Sequence, residues 1–208
     1  MENSSETVYS RHVVEFVAVA NEFCKYAEHA RSINGDEMLT IMQRLLPLLY
    51  LKGAFLPVFE PHFDDGNEKF VTESDWSHVK EAFRSRFASA DDYLVLPRDK
   101  DKNEDPVPAT ISEDMADLYQ DLKNFILLYQ TGTEEVMNDA VWECRLNFEE
   151  FWGRKLLNAM SAIHEFIVSG EKITDLPELA GDDNKSKDDW FISRRQKESR
   201  ERSGEKLS

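Results

Sequence analysis

The stretch LLPLLYLKGAFLPVF, Leu45 to Phe59, is the most apolar in the chain and restricts its fold more than any other. A membrane-spanning helix needs about 20 predominantly apolar residues. The uninterrupted run between Arg44 and Lys52 is seven residues, Leu45 to Leu51, and is too short to span. A central strand is also disfavoured, because Pro47 would remove a ladder hydrogen bond and the preceding DEMLTIMQR has no alternation. A buried helix remains. Pro47 has no N–H for the Gln43 carbonyl and its ring crowds that carbonyl, so a bend is expected there. Gly53 permits close backbone approach, and Pro57 and Pro61 end the element.

The rest of the chain supplies partners for such a helix. Val13, Phe16, Val17, Ala20, Phe23, Cys24 and Ala27 recur at steps of three and four, which predicts a first helix from about Ser5 to Arg31. Gly35 lies in a turn and Asp36 is placed to cap the second helix. After a polar loop, Ser74 or Asp75 caps a third helix with Trp76, Val79, Phe83 and Phe87 on its apolar face. Residues 91–108 hold three prolines and read as a long connection, with Tyr93 to Leu96 extended against the body. Ser112 then caps a fourth helix. Its stripe is Met115, Leu118, Tyr119, Leu122, Phe125, Ile126 and Tyr129, against an outer side with Asp114, Asp117, Asp121 and Asn124. From Thr133 a fifth helix is expected to run to Ser169, burying Met137, Val141, Cys144, Phe148, Phe151, Ala159, Ile163 and Ile167, with a bend or tight contact at Gly153.

These readings give an all-α fold, a single-domain antiparallel bundle of about five main helices over residues 1–180. A charged tail follows over 181–208, with one apolar island, Trp190 to Ile192. The net charge of −16 is uneven, since the tail carries eight basic and seven acidic residues and leaves −17 on residues 1–180. Such a body repels phosphate, so nucleic acid and anionic membrane are not expected partners. Cys24 and Cys144 fall among apolar residues and read as reduced core thiols. MENSSETVYSRHVVEF lacks the pattern of a signal peptide, so a cytoplasmic location is expected.

Chemistry is harder to find. There is no E-x-x-H pair for a di-iron bundle, no H-E-x-x-H, no paired C-x-x-C, no glycine-rich phosphate loop and no G-x-S-x-G elbow. The nearest match, Asp75-x-x-His78, opens a helix and reads as a cap beside a surface histidine. No cofactor is expected, and the pattern leans away from catalysis. The densest polar and aromatic cluster lies between Val141 and Phe166, where a regular helix puts Trp142, Arg145, Glu149 and Trp152 on neighbouring turns of one side. With His164 they form the candidate surface for an unknown protein partner or small ligand, since aromatic and arginine anchors dominate interface energetics. An alternative is a metal-binding protein or enzyme using Glu149, His164 and Glu22, and a third is a chaperone-like binder of a client peptide. Nothing sets the oligomeric state.

Four segments, VVEFVAVANEFC, LLPLLYLKGAFLP, DMADLYQDLKNFILLYQTG and AVWECRLNFEEFWGRKLLNAMSAIHEF, lie in this order between residues 8 and 167. In these the chain resembles the family of domain of unknown function 5063. The resemblance implies an all-helical bacterial protein of unassigned function. It also implies histidines beside the Trp-Gly pair, where Phe151 and Lys155 stand here.

Overall fold

The apolar stretch begins as a helix. In the computed structural model, which describes residues 7–63, 66–96, 105–130 and 132–174, one helix, α2, spans Gly35–Ala54 and continues through Pro47. Pro47 faces outward, where water can serve the Gln43 carbonyl that has lost its amide donor. The opposite side, with Met38, Leu39, Met42, Leu45, Leu46 and Leu49, is buried. The tail expected over 181–208 lies outside the described residues.

Around α2 stand α1 (Arg11–Glu28), α3 (Glu73–Phe87), α4 (Ile111–Tyr129), α5 (Glu134–Asn147) and α6 (Gly153–Ser169). A π-turn, Phe148–Trp152, joins α5 to α6. The expected fifth helix therefore exists as one rod with a π-turn inside it, and the fold is all-α with five rods. Strands β1 (Asp92–Val95) and β2 (Val107–Thr110) form a small antiparallel hairpin in which Leu94 faces Pro108 and Val95 faces Val107. The extended segment expected at Tyr93 is β1. Its partner was not foreseen, because the prolines of this connection masked β2.

Helix α4 is central and packs on α1, α3, α5 and α6. Its apolar stripe is buried as expected from Met115 to Ile126 and half-buried at Tyr129, but Asp114 and Asn124 from the side read as outer are buried too. The caps also differ from expectation, each by two or three positions. Asn34 rather than Asp36 accepts from the Glu37 N–H at 2.8 Å. Thr72 caps α3, with Asp75 as its reciprocal partner in a capping box. Thr110 caps α4, and Ser112 instead donates through its N–H and hydroxyl to the Asp91 carboxylate, both at 2.7 Å. Helix α1 begins later and ends earlier than expected, followed by a 3-10 turn at Ala30–Ser32.

The connection between α2 and α3 runs along α5, which supplies the partners its backbone lacks. Asp139 accepts from the His62 and Phe63 N–H groups at 2.7 and 2.9 Å, and Arg145 donates to the Leu56 carbonyl. Asn124 accepts from the Phe70 and Val71 N–H groups. Cys24 and Cys144 are buried, and burial pushes both thiols well above their ordinary range, so neither is a ready nucleophile. Among the described residues no helix is long and apolar enough to cross a membrane.

Candidate functional site

The site grows from the π-turn. An α-helix advances about 100° per residue, so steps of three and four keep one face inward. Continuing Val141, Cys144 and Phe148 by three reaches Phe151, whereas the protein continues by four to Trp152 and then to Leu156, Ala159 and Ile163. The wider π-turn accommodates that extra residue. Trp152 is consequently fully buried, 6.3 Å from the Phe16 ring and 4.7 Å from the Phe148 ring, while Phe151 is turned out and 45% exposed. Two glycines permit this. A Cβ on Gly153 would stand 2.4 Å from the Phe148 carbonyl oxygen, and one on Gly53 would stand 3.0 Å from the Trp152 ring.

Beside the π-turn runs a polar seam between α4 and α6. Asp114, Asp117 and Asp121 share one face of α4 at helical spacing. The Tyr93 hydroxyl of β1 donates to Asp114, which is 5% exposed. Lys155 of α6 pairs with Asp117 and lies 3.7 Å from Asp114. The Trp76 indole N–H of α3 donates to Asp117 at 2.8 Å, Lys80 stands over the Trp76 ring at 5.0 Å, and the Lys155 ammonium stands over Phe151 at the same distance. Asn147 donates to one oxygen of Asp121 at 3.2 Å, while the other oxygen is buried without a hydrogen-bond partner.

Burial governs the protonation of these groups. It raises the Asp114 carboxyl to about 6, against the pull of Tyr93 and Lys155. Burial likewise raises Asp121 to about 6, opposed by Lys69 and reinforced by Glu143 and Asp117. For Lys155 burial works downward, but the Asp117 hydrogen bond and the neighbouring carboxylates prevail, and its ammonium is held above its usual range. A lysine held protonated in this way is a positioned charge and a poor base or nucleophile.

Asp121 gives a sign that can be checked. Its folded pKa lies above the ordinary value of about 3.9, so the folded protein takes up the proton first as pH falls; stability is lost as pH rises from about 4 to about 6, and the full cost of the buried charge is present above that. Asp121→Asn keeps an oxygen for Asn147 and removes the charge. It is expected to raise unfolding stability by about 1–2 kcal/mol near pH 7.5, by roughly a third of that near pH 4.5 and by almost nothing near pH 3, measured by urea denaturation at the three pH values.

The sequence-derived surface is divided by this geometry. Trp142 is half-buried against the core, and Arg145 pairs with the exposed Glu149 at 2.6 Å while its other donors hold the Leu56 carbonyl. Trp152 is enclosed in the core rather than presented to a partner, and His164 stands on the exposed side of α6 beyond it. Glu22 pairs with Lys25 on α1. Among the described residues no group of three or more His, Cys, Asp or Glu side chains is arranged to hold a metal ion. Sequence reasoning passed over Tyr93, Trp76, Asp114, Asp117 and Lys155. The available signal is the spacing of the three aspartates, which on an isolated helix reads as a solvated face.

A model of the family described as domain of unknown function (DUF5063) matches residues 7–169. The chain belongs to this family. The crystal structure of protein BF1032 from Bacteroides fragilis is similar, at 38% identity and a TM-score of 0.71, covering 81% of this chain and 99% of that one. Comparison with curated proteins finds no match. The DUF5063 match includes the four segments quoted above, and the fold brings two of them together. Gly53 of LLPLLYLKGAFLP is the small floor on which Trp152 and Phe148 of the fifth rod pack.

Proposed function

We propose that the chain is a non-catalytic binding module, and that its binding face is the outer side of the hairpin together with the start of α6. The carrying observation is an apolar cluster left exposed among the described residues. Leu94 and Leu96 are 68% and 65% exposed and alternate on one side of an extended segment, and Arg154 donates to the Leu96 carbonyl at 3.0 Å, which places exposed Phe151 one turn away. Alternating apolar side chains on a short hairpin with open edges suit a peptide segment added in extended conformation.

Exposed Asp92 and Glu150 flank these side chains, and the chain as a whole is strongly acidic, so the partner is read as an apolar, basic protein segment. The polar seam below supports that face without offering reactive groups. Its lysine is held protonated, and its aspartates are engaged with Tyr93, Trp76, Lys155 and Asn147.

A random peptide library displayed on phage and selected on the wild-type chain tests this reading, with a Leu96→Glu, Phe151→Glu double variant as the control. Recovered peptides should carry Lys or Arg beside alternating apolar residues and should bind the variant at least about ten-fold more weakly, a loss of about 1.4 kcal/mol. No enrichment, or peptides that bind both proteins equally, would overturn the proposal.

A further inference from the structure

The proposed face is carried by a hairpin whose attachment to the body runs through buried acids. At its foot Asp91 accepts from Ser112, and the Ile111 N–H donates to the Asp91 carbonyl at 2.9 Å. Midway along β1, Tyr93 reaches down to Asp114, and beyond its end Arg154 holds the Leu96 carbonyl. Asp114 is therefore covered in part by the Tyr93 side chain of the strand that it anchors, beside Lys155 of α6. A two-stranded hairpin has little stability of its own, so these anchors decide how often it lifts.

We propose that Asp114 is a pH-responsive latch for the hairpin, such that β1 and β2 stay seated on α4 more firmly when its carboxyl is protonated than when it is ionised. The reason is geometric. With the hairpin seated, Asp114 is buried with Tyr93 of β1 against it; with the hairpin lifted, Tyr93 leaves, water reaches the carboxylate and solvates its charge. The ionised form therefore gains more from lifting than the neutral form, which keeps its carbonyl oxygen as an acceptor for Tyr93.

The groups around it fit this direction. From α6 Lys155 favours the ionised form in the seated state, but its nearer partner is Asp117 at the next turn of α4. Glu113, also on α4, is paired with Lys80 of α3 and adds repulsion. Burial outweighs the Lys155 and Tyr93 contributions, so the seated carboxyl holds its proton more tightly than a solvated one. Asp91 at the foot is raised by burial as well, against its Ser112 hydrogen bonds and Arg84, and acts in the same direction.

This regulation rests on the binding reading for its purpose but not for its test. Hydrogen exchange of the full chain, followed by mass spectrometry at about pH 5 and about pH 7.5 and corrected for intrinsic rates, reports how often residues 91–96 and 106–112 open. The opening constant should be about ten-fold larger at the higher pH, with a smaller change across α2. Asp114→Asn should cut that dependence to the residue left by Asp91. Tyr93→Phe, which deletes a hydrogen bond favouring the ionised form, should steepen it and is informative even if the first variant folds poorly. Equal opening at both pH values in the wild type, or an undiminished dependence in Asp114→Asn, would overturn the latch. Neither result bears on whether peptides bind the face, which the phage selection decides separately.

Discussion

Trp152→Ala is expected to lower unfolding stability by about 3–5 kcal/mol, measured by urea denaturation at neutral pH. The indole is fully buried among Phe16, Phe148 and the bare backbone of Gly53, so its removal opens a cavity bounded by α1, α2 and the π-turn. Those walls are rings and helix backbone, which collapse poorly into a void, and the cost should fall near the upper end of the range for aromatic truncation. Total stabilities of folded domains are about 5–15 kcal/mol, so the variant should be marginal at 37 °C. Trp142→Ala provides the comparison. Trp142 is only half-buried, and its truncation should cost about 1–2 kcal/mol. Equal losses for the two would show that Trp152 is not the enclosed residue.

Gly153→Ala should destabilise by about 2–3 kcal/mol, although alanine is ordinarily the better helix former. The added methyl would meet the Phe148 carbonyl oxygen at 2.4 Å and the Phe148 ring at 2.9 Å. The first of these is backbone and cannot rotate away, so either the π-turn widens further or Phe148 leaves its edge contact with Tyr50, whose ring centroid is 5.1 Å distant. Ser161→Ala, on the exposed side of α6, should change stability by less than about 0.5 kcal/mol in the same assay. A neutral or stabilising Gly153→Ala would mean that the helix is regular through this point.

Most of the architecture could be read from hydrophobic spacing, because each rod buries a stripe that repeats every three to four residues. Val13, Phe16, Ala20 and Phe23 of α1 and Met115, Leu118, Leu122 and Phe125 of α4 are buried as that spacing requires. The π-turn was not readable in this way. It changes the register by one residue, and a pattern of threes and fours continues across Phe148 to Phe151 just as smoothly as the true one continues to Trp152. That single residue accounts for both errors in the fifth rod, the tryptophan assigned to a surface and the phenylalanine assigned to the core.

Buried polar side chains were hidden for a different reason. Asp114 and Asn124 look like solvated positions until the hairpin and the α2–α3 connection are known to cover them, and those coverings depend on contacts 21 and 53 or 54 residues distant in sequence. The candidate site shares this difficulty. Tyr93, Trp76, Asp117 and Lys155 come from four different elements, and no local motif connects them. The caps were displaced for the same kind of reason. Ser112 has the chemistry to open α4, but the Asp91 carboxylate claims both its donors and leaves Thr110 to accept from the Glu113 N–H.

The reversal at Phe151 and Trp152 sets both the core and the proposed face, and thiol labelling of Phe151→Cys tests it most directly. Native Cys24 and Cys144 are buried and should stay silent toward a maleimide until the protein unfolds. A cysteine at 151 should react in the folded protein at the rate of an exposed thiol. Protection of that cysteine to the same degree as the two native ones would place residue 151 in the core and contradict the one-residue shift on which the face depends.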